Sequence, residues 1–295
     1  MNDTTQSAVL HANRRKTAPA LIARRVFCYA VLLLLTFMCL FWFYVLFVNS
    51  TRSHSAISLG FSAVPGTQLM TNLRNALNTA DIPVLRGLCN SLFVAVCTTF
   101  LSVYFSALTA YAVHVYVFRM KKFVYYFILL IMMIPTQVSA MGFFRLMTKL
   151  GFINSFIPLI VPSIAAPMTF FFLIQYMESG LPIEVVEAAR IDGSGEFSTF
   201  NHIVMPIMKP ACAVQAIFTF VASWNNYFIP SLLLNKKEMK TLPVLIAMLR
   251  SADFLKFDMG KVYMTITLAI LPVIIVYLLL SRFIIRGVAL GSVKG

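Results

Sequence analysis

The chain has 295 residues, of which 60% are hydrophobic and 12% charged, about half the charge of an average soluble domain. With a mean hydropathy of +0.85, this excludes a soluble globular fold and marks a multi-span membrane protein. The net charge of +14 does not point to nucleic acid, because the basic residues are spread among polar segments with no continuous stripe interleaved with aromatics. They suit a basic edge held against anionic lipid.

In chain order, residues 1–25 form a polar tail with Arg14, Arg15, Lys16, Arg24 and Arg25 against Asp3, a composition that keeps this end in the cytoplasm. Residues 26–48 are uncharged and predict a first helix of about 35 Å, too long for a signal peptide and followed by no small-residue cleavage site. Residues 49–86 are polar, hold Gly60, Pro65 and Gly66, and predict an external segment. A core domain follows over 87–283. Its second span, 87–118, ends at the basic cluster Arg119-Met120-Lys121-Lys122. The third, 123–144, has Pro135 and Gln137 near its middle and predicts a kink. The fourth, 156–177, is broken by Pro158, Pro162 and Pro167. After a polar loop, 178–210, come a fifth span (211–234), an external segment (235–259), a sixth span (263–283) and a cytoplasmic tail, 284–295. The expected architecture is all-α, with six transmembrane helices and both termini and the polar loop on one side.

The polar loop reads as two short helices. Pro182 suits the start of the first, since its missing N–H is not needed there. Glu184 and Glu187 favour the positive end of its dipole. Ile183, Val186 and Arg190 share one side, and Glu184, Ala188 and Ile191 another, so neither face can cross a bilayer. Gly193 supplies a left-handed stop. A second helix is expected from Glu196 to about Val204, with Pro206 and Pro210 ending it and turning the chain back.

Glu187-Ala188-Ala189, then Gly193, then Ile203-Val204-Met205-Pro206 resemble the EAA motif, E-A-A-x3-G-x9-I-x-L-P, of the membrane subunits of bacterial ATP-driven importers. Met205 stands where the pattern has Leu, a swap of similar volume. The resemblance covers roughly 26–295. Asn90-Ser91-Leu92, Ser223-Trp224-Asn225-Asn226-Tyr227 with Pro230, and the ending Gly287 to Gly295, similar to a G-x3-G-x2-K-G tail, point to the carbohydrate branch, the maltose-type second permease. The resemblance implies a type I importer transmembrane domain in a bacterial cell membrane. Its expected partners are a second permease subunit, two ATP-binding subunits, an external solute-binding protein and a sugar. It further implies that Glu184, Glu187, Ala188, Ala189, Arg190, Asp192, Gly193, Ile203 and Pro206 dock on the ATPase. The paired small side chains would let the helix seat deeply, and Glu187 and Arg190 would orient it.

No phosphate-binding G-x4-G-K-[ST] occurs, so ATP hydrolysis is expected from a partner and the chain itself is not read as an enzyme. No cofactor or metal site is called for. Cys28, Cys39, Cys89, Cys97 and Cys212 lie at no ligand spacing, and their odd number argues against a disulfide framework. Of the histidines, His114 alone lies in a span, where a hydrogen bond within the bundle is expected. No acid falls within a span, which disfavours an ion-coupled carrier, and no catalytic constellation supports an integral membrane enzyme. For the path of a hydroxyl-rich solute the candidates are Trp224, Asn225, Asn226 and Tyr227, 14 to 17 residues beyond Pro210, about 21–26 Å along a helix. An indole face beside two amides suits a sugar ring. Asparagine also bonds helix to helix in lipid, so both readings stand for Asn225 and Asn226. For Gln137, Asn90 and Gln175 the structural reading is preferred.

Overall fold

The computed structural model describes residues 3–78, 82–250 and 258–291, with side chains over 21–281 of these. Among the described residues every regular element is helical. The principal helices are α1 (Asp3–Ser50), α2 (Val84–Val115), α3 (Lys121–Met132), α4 (Thr136–Lys149), α5 (Pro167–Gly180), α6 (Ile183–Ile191), α7 (Met205–Trp224), α8 (Leu242–Arg250) and α9 (Met259–Gly291). Five stretches are long and apolar enough to cross a membrane: Leu21–Ser50, Val84–Val115, Ile157–Gly180, Glu196–Leu233 and Met259–Ser281; α3 and α4 make a sixth if counted as one bent span. The helix of the first span begins at Asp3, so the tail read as 1–25 is largely helical, and α9 carries helix past 283 to Gly291. Ser292 to Gly295 of the tail motif lie outside the described residues.

Helix α2 is the centre of the bundle. Helices α5 and α7 pack on it, α9 packs on α7, and α1 packs on α9. The buried positions of α2 include Ser91, Ala95, Ser102, Ser106, Ala107 and Ala110, and such small side chains let helices approach closely where lipid supplies no hydrophobic drive for association. The Ser102 hydroxyl lies 3.2 Å from that of Thr169, and Ser106 Oγ donates to the Ala166 carbonyl at 3.3 Å. In contrast, α1 exposes Leu33, Phe37, Leu40 and Trp42, as a helix bathed in lipid can.

Three expectations need correction. The third span is not kinked but broken, α3 and α4 lying at 94°. Pro135 removes a backbone donor and disfavours helical backbone at Ile134, and it sits in extended conformation itself. With 12 residues, α3 is about 18 Å long, short of a roughly 30 Å core. Gln137, beside the break, is exposed and accepts a 3.4 Å hydrogen bond from the Thr136 hydroxyl.

Second, Pro206 and Pro210 do not end a helix. The helical path runs from Glu196 through a π-helical turn, Phe200–Val204, directly into α7. A π turn moves the preceding carbonyls out of the helical register and so relieves the clash a proline ring makes four residues back.

Third, the segment 235–259 is no simple loop, for α8 buries Leu242, Val244, Leu245 and Leu249. Gly87 of α2 makes room for it, since a Cβ there would collide with the Leu245 side chain. The Asn90 amide donates to the Glu238 and Lys240 carbonyls at 2.8 and 3.0 Å, a structural role. Nearby, Asn154 adopts φ 58 and its side-chain oxygen accepts from the backbone N–H groups of Asn235 and Lys236 at 2.6 and 2.8 Å.

Candidate functional site

Helix α6 is seated by Val186 and Ala189, both buried. Val186 joins a cluster that includes Tyr111, Val113 and Val115 of α2, Phe170, Leu173 and Met177 of α5, and Phe200, Val204 and Met208 leading into α7. The outward face carries Glu184, Glu187, Ala188, Ile191 and Asp192. Thus the two alanines divide: Ala188 looks out, while Ala189 packs against the chain's own bundle at 5% exposure. Of the two alanines expected to seat the helix in a partner, Ala189 is covered by the chain's own bundle and Ala188 is left exposed. Ile203 and Pro206 lie on the π turn and the first turn of α7, one element away from this face.

Sequence reasoning passed over the apolar part of the surface. Ile191 is 86% exposed and Phe197 68% exposed. Both lie in the polar loop. The available signal was the shared spacing of Glu184, Ala188 and Ile191.

The end of α6 follows from its sequence. Gly193 has φ 79, its N–H donates to the Arg190 carbonyl at 3.0 Å, and the Ser194 N–H donates to the Ala189 carbonyl at 2.9 Å. These are the paired bonds of a Schellman stop. Beyond it, Gly195 caps the helical stretch that opens with Glu196.

Arg190, expected as an orienting rim charge, is engaged within the chain. Its Nε donates to Glu196 Oε1 at 2.6 Å, and its guanidinium lies 5.4 Å from the centroid of the Tyr116 ring. Tyr111 Oη donates to Glu196 Oε2 at 2.9 Å. The continuous helix from Glu196 to Trp224 spans about 43 Å, so with a roughly 30 Å core its first turn stands outside the membrane. There the Arg190 guanidinium, and after it the Tyr116 hydroxyl, hold the Glu196 carboxyl down to about 2, and Glu196 in turn raises Arg190 above its ordinary value. The entry to α6 is tied as well, His114 Nε2 lying 3.1 Å from the Leu181 carbonyl, which bears out the expected hydrogen bond at this histidine. Among the described residues no group of His, Cys, Asp or Glu is arranged to hold a metal.

The candidates for a solute path lie at the far end of α7. Trp224 is the last residue of that helix and is 3% exposed. Its ring stacks on Phe220 at 5.7 Å and its Nε1 donates to the Ala269 carbonyl of α9 at 3.1 Å. The indole face is therefore engaged in packing, contrary to the expectation that it meets a sugar. Asn225, Asn226 and Tyr227 form the break before a short helix, Phe228–Leu233, and all three are exposed. Asn226 lines a cavity of about 20 Å³ with Ser91, Ser223 and Thr241, room for about one water.

Residues 102–289 match the family model described as binding-protein-dependent transport system inner membrane component. The arabinooligosaccharides transport system permease protein AraQ of Bacillus subtilis (strain 168) is 34% identical over 269 residues, 89% of this chain and 93% of its own length. The lactose transport system permease protein LacG of Rhizobium radiobacter is 30% identical over 266 residues, 90% of this chain and 95% of its own. The fold matches that of a bacterial ABC transporter involved in the import of the acidic polysaccharide alginate, with a TM-score of 0.74 at 23% identity, covering 88% of this chain and 96% of that one. The helical bundle is thus a type I importer transmembrane domain, and the chain belongs to the family of inner membrane components of binding-protein-dependent transport systems.

Proposed function

We propose that this chain is one of two permease subunits of an ATP-driven importer for a sugar or oligosaccharide. In this reading α6 is the coupling helix, and its outward face, Glu184, Glu187, Ala188, Ile191 and Asp192, docks on an ATPase subunit. The observation that carries the reading is that face: a helix outside the bilayer, seated on the bundle by Val186 and Ala189 and stopped at Gly193, presents carboxylates and an exposed Ile191 away from its own core. ATP is hydrolysed by two partner subunits, and an external binding protein delivers the solute. The basic tail and the coupling loop lie in the cytoplasm.

The names of AraQ and LacG support a carbohydrate as solute. Asn225, Asn226 and Tyr227, at the break beyond α7, are the chain's contribution to its path, and Trp224 holds that break against α9. Both asparagines are exposed and lie outside a helix, which favours the solute role over the structural one.

The test is energetic. In right-side-out or reconstituted vesicles holding the complete complex, with ATP inside and the binding protein outside, uptake of arabino-oligosaccharide or lactose is expected to require ATP and to persist when ionophores collapse the proton and sodium gradients. Uptake that collapses with the gradients while ATP is maintained contradicts the proposal and favours an ion-coupled carrier.

A further inference from the structure

Helix α6 is tied to one end of α2 at both of its own ends. At the entry His114 of α2 meets the Leu181 carbonyl. At the exit Glu196 accepts from both Arg190, on α6, and Tyr111, on α2, while the Tyr116 ring at the end of α2 underlies the Arg190 guanidinium. Between Arg190 and Glu196 stands the turn at Gly193, around which no atom would lie within 4 Å of an added Cβ. The Cβ side of Gly193 is open, and the hydrogen bond from Thr199 Oγ1 to Ser194 Oγ at 2.9 Å joins the two sides of the turn without itself reaching α2. A push on α6 would move the turn against α2 unless a further contact tied it there.

We propose that Glu196 is a positioning residue that locks the exit of the coupling helix to α2, so that movement of α6 passes into the transmembrane bundle instead of being absorbed at Gly193. The inference rests on the reading of α6 as the ATPase-docking helix and adds to it the part that carries the motion inward. A carboxylate suits the task. Its two oxygens take one donor from each helix, and a charge-assisted pair in this partly exposed position is shorter and stronger than a neutral one. Arg190 thereby belongs to the strut and not to the partner's surface. Since α2 is the helix on which α5 and α7 pack, it is the element through which a displacement would reach the rest of the bundle.

The experiment uses the assembled complex of both permeases and both ATPase subunits in lipid nanodiscs, with spin labels on Ala188→Cys and on Thr109→Cys, an exposed position of α2. The 109–188 distance is measured without nucleotide and with ATP plus vanadate. With Glu196 present, one narrow distribution is expected in both states, α6 and α2 moving as a body. Glu196→Gln is expected to split or shift the distribution on adding ATP, Tyr111→Phe to do so more weakly, and Glu178→Gln, outside the strut, to leave it narrow. A distribution that stays narrow in Glu196→Gln, or that splits as much in Glu178→Gln, overturns the proposal. Docking is read separately from the mobility of the label at 188. If that label stays freely mobile when the ATPase binds, the docking assignment fails; if it is immobilised and Glu196→Gln changes nothing, only the strut fails.

Discussion

Gly193 shows how one residue sets a mechanical angle. At φ 79 it occupies backbone space that side chains with a branched Cβ enter at a cost of about 1–3 kcal/mol. The surroundings are open, so the strain is conformational and owes nothing to steric contact with neighbours. Gly193→Val is therefore expected to lower uptake per complex and the thermal stability of the assembly, whereas Gly193→Asn, a residue that tolerates this region, stays close to wild type. Equal uptake and melting temperature in wild type and Gly193→Val would show that the turn does not fix the angle. The sequence made Gly193 legible because glycine at a helix end has a specific geometric use. It did not make Arg190 legible: a lone cation on a short helix reads as a surface charge, and its partners Glu196, Tyr111 and Tyr116 are brought to it only by the turn and by the packing of α2.

At the scale of elements, the long apolar spans were visible from hydropathy, because burial in lipid leaves no other choice of residue. The breaks were less so. Proline was expected to end the helix at Pro206 and only to kink it at Pro135; the reverse occurs. A π turn absorbs Pro206 within a continuous helix, while at Pro135 the chain turns by 94°. Proline states that a hydrogen bond is missing, and the neighbouring helices decide what geometry follows. The solute role proposed for the break at the end of α7 can be tested directly. Replacing Asn225 and Asn226 together by Leu should leave assembly and basal ATP hydrolysis nearly intact and should abolish sugar uptake per complex. If these amides served only to join helices, uptake would instead fall in proportion to the complex assembled, by the roughly 0.6 kcal/mol that such bonds average in membranes.

The whole molecule is a bundle centred on α2, with α6 at one end and an interrupted helix at the other. Apolar packing around Phe200, Leu173 and Met177 supports the end of the bundle that seats α6, and the second cluster, with Val84, Phe220, Trp224 and Leu242, holds the far end of α7 against α8 and α9. The central claim is that α6 presents Ala188, and not Ala189, to an ATPase subunit. The most direct measurement is cysteine cross-linking in membranes containing the complete transporter. A cysteine at position 188 is expected to link to the ATPase and to be shielded from a bulky maleimide, while one at position 189 links to neither. Linking from 189 but not 188, or free maleimide labelling of 188 in the assembled complex, would contradict the account.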